Sequence, residues 1–250
     1  MYTKSIHYDV IDVNLAMRKM TKDECLDDLK HRILSTDLAP GSDLDETALA
    51  EHYGISRTPM REVLHRLAGA GYISSTENRG SKVASMDIGT MRTFFQTAPM
   101  IYANIASLAA EARTGPQLED LKAAQRAFTN ATAANDAQAA ALANHHFHAV
   151  IGQMAHNPYL VASLGRLLID HTRLSQRFYR PASEEEERRI EKAGEQHDAM
   201  ISAIEAYEAP LALDLSLQHW DLSRDRMERY VRPDPLPVDV VSLKDHRNAV

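Results

Sequence analysis

Turn-forming residues are distributed unevenly along this 250-residue chain, and their distribution limits the folds that it can adopt. Between residues 24 and 85, glycines and prolines separate short apolar runs. From Asp87 to about Val231 they are sparse, and apolar side chains recur at spacings of three and four. Because that spacing is typical of amphipathic helices, the sequence predicts a mostly α protein, with a small N-terminal unit followed by an antiparallel helical bundle.

Interruptions of the helical pattern define the organisation further. They fall at residues 113–116, 157–158, 180–183 and 209–210. These breaks divide the second region into about six helices. Three prolines over residues 232–237 cannot continue a helix, because proline lacks a backbone donor. The predicted segments are an extension over 1–20, an N-terminal domain over 21–86, an all-α domain over 87–231 and an extended tail over 232–250.

Composition excludes several classes of protein. The single cysteine, Cys25, cannot form an internal disulfide and is typical of a reducing cytoplasm. No run approaches the ~20 apolar residues of a membrane helix, and polar residues interrupt the N-terminus where a signal peptide would be apolar. We therefore expect a cytoplasmic protein without membrane contact. The net charge of −7 argues against unspecific coating of nucleic acid.

Two helices joined by a tight turn are predicted between Asp43 and Leu67. The segment that starts at Asp43 opens the first helix, with Asp45 as its N-cap, and Gly54 ends it in a left-handed conformation. The second helix begins after a short turn, with Pro59 in its first turn, where a missing N–H does no harm. This spacing predicts a helix-turn-helix.

The second of these helices has two different faces. Its apolar face comprises Met60, Val63, Leu64 and Leu67. Arg57, Arg61 and His65 recur every four residues on another face. Arginine is the side chain best suited to bind guanine edges and phosphates in a major groove. The helix is therefore predicted to pack on one side and to contact DNA on the other.

A hairpin is predicted after this helix. Residues 71–75 and 81–84 form its two short strands, and the tip between them would lay Arg79 along a minor groove or the DNA backbone. Over residues 56–82, five basic and two acidic residues give a net charge of +3 within a chain of −7. This local charge favours a nucleic-acid contact. The alternative is a solvated helix face with incidental arginines.

The run of residues 56–62, Ser-Arg-Thr-Pro-Met-Arg-Glu, is specific enough to indicate a family. With the segments 38–41, 49–51 and 78–80, it closely resembles the winged helix-turn-helix of GntR-family transcription regulators. The resemblance implies contacts of the helix with bases and phosphates, and a contact of the wing. The residues expected to bind DNA, from the helix face and the resemblance together, are Arg57, Thr58, Arg61, His65, Arg79 and Gly80.

Seven of the twelve histidines lie between residues 145 and 219. His148, His197 and His219 fall on three different predicted helices, and apolar neighbours place the last two near the bundle interior. Three imidazoles that leave coordination positions open make a reasonable site for a divalent metal. Spacing alone does not single out these three, because for any single histidine the role of a satisfied core or surface residue is the favoured interpretation.

Further motifs occur in the helical region: Asn144-x-x-Phe147-His148, Asn157-Pro158 and Gln196-His197. With the helix of His219, they resemble the FCD effector domain of the FadR-type GntR subfamily. FCD domains commonly bind a metal through one aspartate and three histidines. By this resemblance, the ligands of a Zn²⁺, Ni²⁺ or Mn²⁺ ion are Asn144, His148, His197 and His219.

The chain departs from the family pattern at several positions. Asn144 replaces the usual aspartate, and its neutral amide oxygen is a weaker donor. His145 is a possible substitute ligand, although its side chain points about 100° away around the helix. Ala98 and Tyr102 replace the usual arginine and glutamate of the first bundle helix, so the effector pocket is expected to differ. Arg173 and Tyr102 are candidates to bind an anionic effector; for Arg173 a structural or surface role is an equal alternative.

These observations predict a homodimeric, ligand-responsive regulator, a repressor as is most common in the family. It would bind a short palindromic operator and, in its bundle, a small organic acid or related anion. A metal-dependent hydrolase or lyase that uses the histidines is one alternative, and a regulator for which the metal is itself the signal is another. We predict no enzyme, since hydrolase motifs are absent and an enzyme has no use for the Arg57 and Arg61 face.

Overall fold

The computed structural model describes residues 20–76 and 80–229, and these form nine helices and three strands. The N-terminal elements are α1 (Lys22–Leu34), β1 (Asp43–Leu44), α2 (Glu46–His52), α3 (Arg57–Ala70), β2 (Ile73–Thr76) and β3 (Gly80–Val83). The C-terminal elements are α4 (Ile88–Ala112), α5 (Gly115–Ala133), α6 (Ala137–Met154), α7 (Pro158–Phe178), α8 (Glu184–Glu205) and α9 (Ala209–Arg229). The predicted mostly α fold is confirmed. Arg79, the tail over 232–250 and the extension over 1–20, except Met20, lie outside the described residues.

The predicted helix pair forms around a tight turn. The Asp45 side chain caps α2 by accepting hydrogen bonds from the backbone N–H groups of Thr47 and Ala48, at 2.7 and 3.0 Å. Gly54 follows the helix with a φ of +64°, as predicted. After the turn, α3 begins with Ser56 as its N-cap. The predicted cap and turn are confirmed.

The small sheet differs from the prediction at two points. Its strand order is β1-β3-β2, and Asp43 pairs with Lys82 across β1 and β3. The prediction that Asp43 and Leu44 open a helix is wrong, because this pairing holds them in a strand. The prediction that a strand starts at Gly71 is also wrong. Gly71 ends α3 in the left-handed conformation, with a φ of +84°, and the strand begins at Ile73.

The N-terminal core forms where α3 packs on α1. The apolar face of α3 is buried, as predicted, and comprises Met60, Val63, Leu64 and Leu67. It shares one hydrophobic cluster with Leu29 and Ile33 of α1, which are fully buried. The opposite face of α3 is thereby held toward solvent.

Six helices form the C-terminal bundle, and short connections make neighbouring helices antiparallel. The predicted breaks coincide with helix ends. A further break, which the sequence did not predict, divides the Ala-rich segment over 131–143. Asn135 has a φ of +56° there, and the Asp136 side chain caps α6. Among the described residues, no helix has the apolar length needed to cross a membrane.

Helix α7 connects the two parts of the chain. The Arg173 guanidinium donates a hydrogen bond from Nη1 to the carbonyl of Ala84, between β3 and α4, at 2.6 Å. Gln176 donates to the carbonyl of Leu34, at the end of α1, at 3.2 Å. Because both side chains are buried, α7 provides a polar joint between the bundle and the N-terminal domain.

Candidate nucleic-acid interface and metal centre

The predicted DNA-contacting residues of α3 lie together on its exposed face. The side chains of Arg57 and Arg61 are 63% and 59% exposed, and Thr58 and His65 are exposed beside them. Since the opposite face is anchored in the core, these side chains project from a rigid element. Such a helix can present arginines to base edges in a major groove.

The start of α3 is also suited to bind phosphate. Among the described residues, the Ser56 side chain makes no capping hydrogen bond to α3, and the first turn of the helix carries no acidic residue. Backbone N–H groups at a helix N-terminus attract anions, since they lack intrahelical partners. The same end of the helix carries Arg57 and Thr58.

The hairpin lies beside this helix. Gly80 begins β3 with a φ of +76° and is exposed. A Cβ added there would meet no atom within 4 Å, so the requirement for glycine comes from the backbone conformation. The predicted wing residue Arg79 lies outside the described residues.

Glu46 is a member of this surface that the sequence did not reveal. Its Oε1 accepts hydrogen bonds from Arg57 Nε at 3.2 Å and from Arg61 Nη2 at 3.0 Å. Its Oε2 accepts from Arg61 Nε at 3.1 Å. These arginines lower the pKa of the Glu46 carboxyl, chiefly through the Arg61 hydrogen bond. The partners lie on different helices, and no local pattern relates them.

The three predicted histidines converge in the bundle. One nitrogen from each of His148, His197 and His219 lies within 4.8 Å of the others. The Nε2 atoms of His197 and His219 are 3.2 Å apart, close to the separation of about 3.3 Å between two nitrogens on tetrahedral zinc. The Phe147 ring stacks on His197 at 4.0 Å between centroids, which fixes the plane of the imidazole.

Two glutamines hold the histidine tautomers that a metal requires. Gln125 donates from Nε2 to the carbonyl of Gly194 at 3.1 Å, so its Oε1 faces Nδ1 of His197 at 2.9 Å. Nδ1 of His197 therefore carries the proton, and Nε2 presents a lone pair. Oε1 of Gln196 lies 3.1 Å from Nδ1 of His219 and can accept a hydrogen bond from it when Nδ1 carries the proton. Such outer hydrogen bonds orient imidazole ligands at metal sites.

Two further atoms could bind a metal together with the Nε2 atoms of His197 and His219. Nε2 of His148 and Oδ1 of Asn144 are buried and have no hydrogen-bond partner among the described residues. Unpaired buried acceptors are costly unless a cation or a donor meets them. Three imidazole nitrogens and one amide oxygen fit a divalent transition metal. The donor set is neutral throughout.

Burial keeps these histidines in the form that binds metal. It lowers the pKa of His148 and of His197 well below the usual range, and that of His219 to about 4. Nearby histidines add to the effect at His148 and His197. The imidazoles are therefore neutral near pH 7, as a ligand must be.

His145, the possible substitute ligand, is engaged elsewhere. Its Nδ1 is hydrogen-bonded to Oγ1 of Thr172 on α7 at 2.7 Å. Burial lowers its pKa to about 4. It is absent from the converging trio, which agrees with its different direction around α6.

Tyr102, a predicted effector residue, lies beside the histidines. Its ring meets that of His148 edge-on at 5.1 Å, and its hydroxyl is hydrogen-bonded to Nδ1 of His171 at 2.6 Å. Tyr102, His148 and Ser216 line a cavity of about 10 Å³, which is room for about one water molecule. This cavity, which His148 lines but His197 and His219 do not, is too small for an organic acid in this conformation.

Arg173, the other predicted effector residue, is fully buried in a polar cluster. Its guanidinium pairs with Asp170, which also binds Arg166 at 3.1 Å, and it donates to the carbonyl of Ala84. Burial lowers the pKa of Arg173, while Asp170 opposes that shift. Arg173 is therefore part of the polar contact between the bundle and the N-terminal domain.

A larger cavity of about 630 Å³ lies elsewhere, between α5 and α8. Gln125 and Phe128 form part of its wall and also contact His197. The acidic side chains around it are Asp136, Glu187, Glu191, Glu195 and Asp198. Their charge disfavours an organic anion in this cavity.

Comparisons with known proteins agree with both halves of the structure. Residues 21–83 match the bacterial regulatory proteins of the gntR family, and residues 95–222 match the FCD domain. The HTH-type transcriptional regulator LutR of Bacillus subtilis (strain 168) is 23% identical over 217 residues, which cover 79% of this chain and 97% of that protein. The Nta operon transcriptional regulator of Aminobacter aminovorans is 28% identical over 83 residues, or 33% of this chain and 40% of that protein.

Solved structures share the fold. E. coli McbR/YncC superposes with a TM-score of 0.71 at 20% identity, covering 85% of this chain and 100% of that chain. A GntR transcriptional regulator from Rhodococcus sp. RHA1 gives a TM-score of 0.67 at 14% identity, covering 84% of this chain and 99% of that chain. At these identities the similarity shows the arrangement of helices.

Proposed function

This chain belongs to the GntR family of transcription regulators, in the FadR-like subfamily with an FCD domain, and we propose that it reads operator DNA through α3. The observation that carries this is the exposed face of Arg57, Arg61 and His65, opposite a fully anchored apolar face. Residues 21–86 are the DNA-reading unit in this proposal, with Arg79 and Gly80 at the wing. Residues 87–231 provide effector binding and dimerisation.

A homodimer would place two α3 helices about 34–36 Å apart, one turn of DNA, on a short palindrome. The test is a binding titration with duplexes selected by the protein from a random pool. Arg57→Ala should weaken binding to the selected duplex at least about fivefold, the lower end of a bidentate base contact. Arg92→Ala, at an exposed position on α4, is the matched control and should keep wild-type affinity. Failure of the wild type to select any sequence would refute the proposal.

The bundle site is proposed to hold a divalent ion through Asn144, His148, His197 and His219. A metal bound there would supply positive charge for an effector carboxylate. Because the four protein ligands are neutral, none of that charge is cancelled within the set. This supports an organic acid or related anion as the effector. Tyr102 lies where it would meet such a ligand beside His148.

Effector binding requires the helices around this site to separate, since the present cavity holds about one water. Tyr102, His148 and Ser216 come from α4, α6 and α9. The Tyr102 hydroxyl is hydrogen-bonded to His171 of α7. Arg173, on the same helix, donates a hydrogen bond to the carbonyl of Ala84, which lies between β3 and α4. Movement of α7 would then change how the N-terminal domains are positioned. Effector binding would release the DNA, as expected of a repressor that its effector relieves. An effector acts only through its preference for one of the two states.

Two measurements test the bundle site. Metal analysis of the purified protein is expected to find Zn²⁺, Ni²⁺ or Mn²⁺, and a thermal-shift screen of small organic acids is expected to give a hit that depends on the metal. Loss of the hit in His197→Ala, with the fold retained by circular dichroism, supports binding at this site. A hit that persists in this variant and in the presence of chelator would contradict it.

The alternative, a regulator for which the metal is itself the signal, is not favoured by the matched family models and relatives. DNA binding with and without chelator, in the absence of any acid, separates the two. The matched families and relatives are transcription regulators, so the protein is not an enzyme, and a histidine-based hydrolase or lyase is not favoured.

A further inference from the structure

One carboxylate joins the two arginines of the recognition face. Glu46 is the first residue of α2, directly after the cap Asp45, and its side chain is only 22% exposed. Both of its oxygens are used, one by Arg57 and Arg61 together and the other by Arg61 alone. Glu46 therefore connects the two helices of the helix-turn-helix through the side chains that face outward.

The pairing leaves the DNA-binding edges of both guanidinium groups available. Arg61 uses its Nε and Nη2 atoms for Glu46, and Arg57 uses Nε. A guanidinium has five N–H donors in a fixed plane. The terminal edge, formed by Nη1 and Nη2, thus retains donors in each arginine for a guanine or a phosphate. Glu46 fixes the plane in which those donors point.

Charge alone would make Glu46 unfavourable at this place. A carboxylate beside the DNA backbone repels phosphates and cancels part of the arginine charge. If Glu46 assists DNA binding, it must therefore do so by orienting the side chains of Arg57 and Arg61. Arginine side chains lose considerable rotamer freedom when they bind, and holding them beforehand reduces that cost.

We propose that Glu46 is a positioning residue that holds Arg57 and Arg61 ready for base contact and thereby sets the sequence specificity of DNA binding. The inference rests on the proposed DNA-reading function of α3. Positioned donors favour the correct base pair, while unspecific attraction depends on net charge alone. Loss of Glu46 should therefore affect the two kinds of binding in opposite directions.

A second ion pair on α3 provides the matched control. Asp23 accepts a hydrogen bond from Arg66 Nη1 at 2.7 Å, and both side chains are more than half exposed. Asp23→Asn removes one negative charge from the same domain, as Glu46→Gln does. It leaves Arg57 and Arg61 with their partner.

The experiment measures Kd for two duplexes, one selected by the wild type from a random pool and one with the same bases scrambled. Glu46→Gln should lower the ratio of specific to unspecific affinity about tenfold, with unspecific binding equal or tighter. Glu46→Asp, which keeps the charge but shortens the reach, should lower the ratio too. Asp23→Asn should change both affinities equally and keep the ratio.

Thermal unfolding of each variant checks that the domain is folded. An unchanged ratio in Glu46→Gln would overturn the inference, and so would a wild-type ratio in Glu46→Asp, since charge would then be sufficient. These outcomes leave the proposed function intact if Arg57→Ala still loses specific binding. If the wild type selects no duplex, the proposed function itself fails.

Discussion

Replacement of Gln125 by leucine removes the hydrogen-bond acceptor that fixes the tautomer of His197. Gln125 is 5% exposed, and its Oε1 lies 2.9 Å from Nδ1 of His197. Leucine has a similar size without polar atoms, so the packing between α5 and α8 is largely kept. The imidazole can then move its proton to Nε2, and that tautomer cannot bind a metal through Nε2.

Gln125→Leu removes two hydrogen bonds, one to Nδ1 of His197 and one to the carbonyl of Gly194, and the first loss leaves a buried donor unpaired. An unpaired buried donor costs about 1–3 kcal/mol. At about 2 kcal/mol, the Tm of the metal-free protein should fall by about 4–8 °C for a chain of this size. Loss of an outer hydrogen bond to a ligand typically lowers metal affinity about 10–100-fold. We expect that loss for Zn²⁺ in Gln125→Leu.

Zn²⁺ affinity is measured by competition with a chelator of known affinity, and stability by thermal unfolding without metal. Gln176→Leu is the matched control, because Gln176 is 1% exposed and donates to the carbonyl of Leu34, away from the histidines. It should lose stability and keep Zn²⁺ affinity. If Gln125→Leu bound Zn²⁺ as tightly as the wild type, the assignment of the His197 tautomer would be refuted.

Three further predictions concern stability. Arg173→Met takes a buried partner from Asp170 and should reduce the free energy of unfolding by about 3 kcal/mol in a urea titration; an unchanged midpoint would contradict this. Gly71→Ala should cost about 1–2 kcal/mol in the same titration, because alanine is strained at a φ of +84°, whereas the half-exposed Arg166 side chain that meets the added Cβ can shift. Arg61 lowers the pKa of Glu46, so the pair stabilises the fold above the ordinary carboxyl pKa of 4.5, and the stabilisation disappears as pH falls through the folded-state value. The stability difference between wild type and Glu46→Gln should therefore shrink in acid, and a constant difference between about pH 3 and pH 7 would contradict the pairing.

Local patterns predicted the elements that depend on local physics. The Asp45 cap, the Gly54 turn and the buried face of α3 follow from capping chemistry and helical period, and each is confirmed. The division of the bundle into helices follows from proline and glycine in the same way. The break at Asn135 escaped prediction because alanine favours helix on both sides of it, and only a left-handed residue marks the end.

Features that depend on distant partners could not be predicted from local patterns. Asp43 lies in a strand because it pairs with Lys82. The acceptor of His197 is Gln125, on a helix 72 residues earlier in the chain. Glu46 gave only a helix-start signal, although it binds both arginines of α3. The resemblance to a family indicated the histidine trio and included Gln196 in one of its motifs, but it did not indicate Gln125.

A ligand in the histidine site is expected to control DNA binding by α3. The most direct test is the affinity of the metal-loaded protein for its selected duplex, with and without the organic acid found by thermal shift. We predict at least about a fivefold loss of affinity in the wild type and none in His197→Ala. Unchanged operator affinity in the wild type, at acid concentrations that saturate the thermal shift, would refute this coupling between the bundle site and α3.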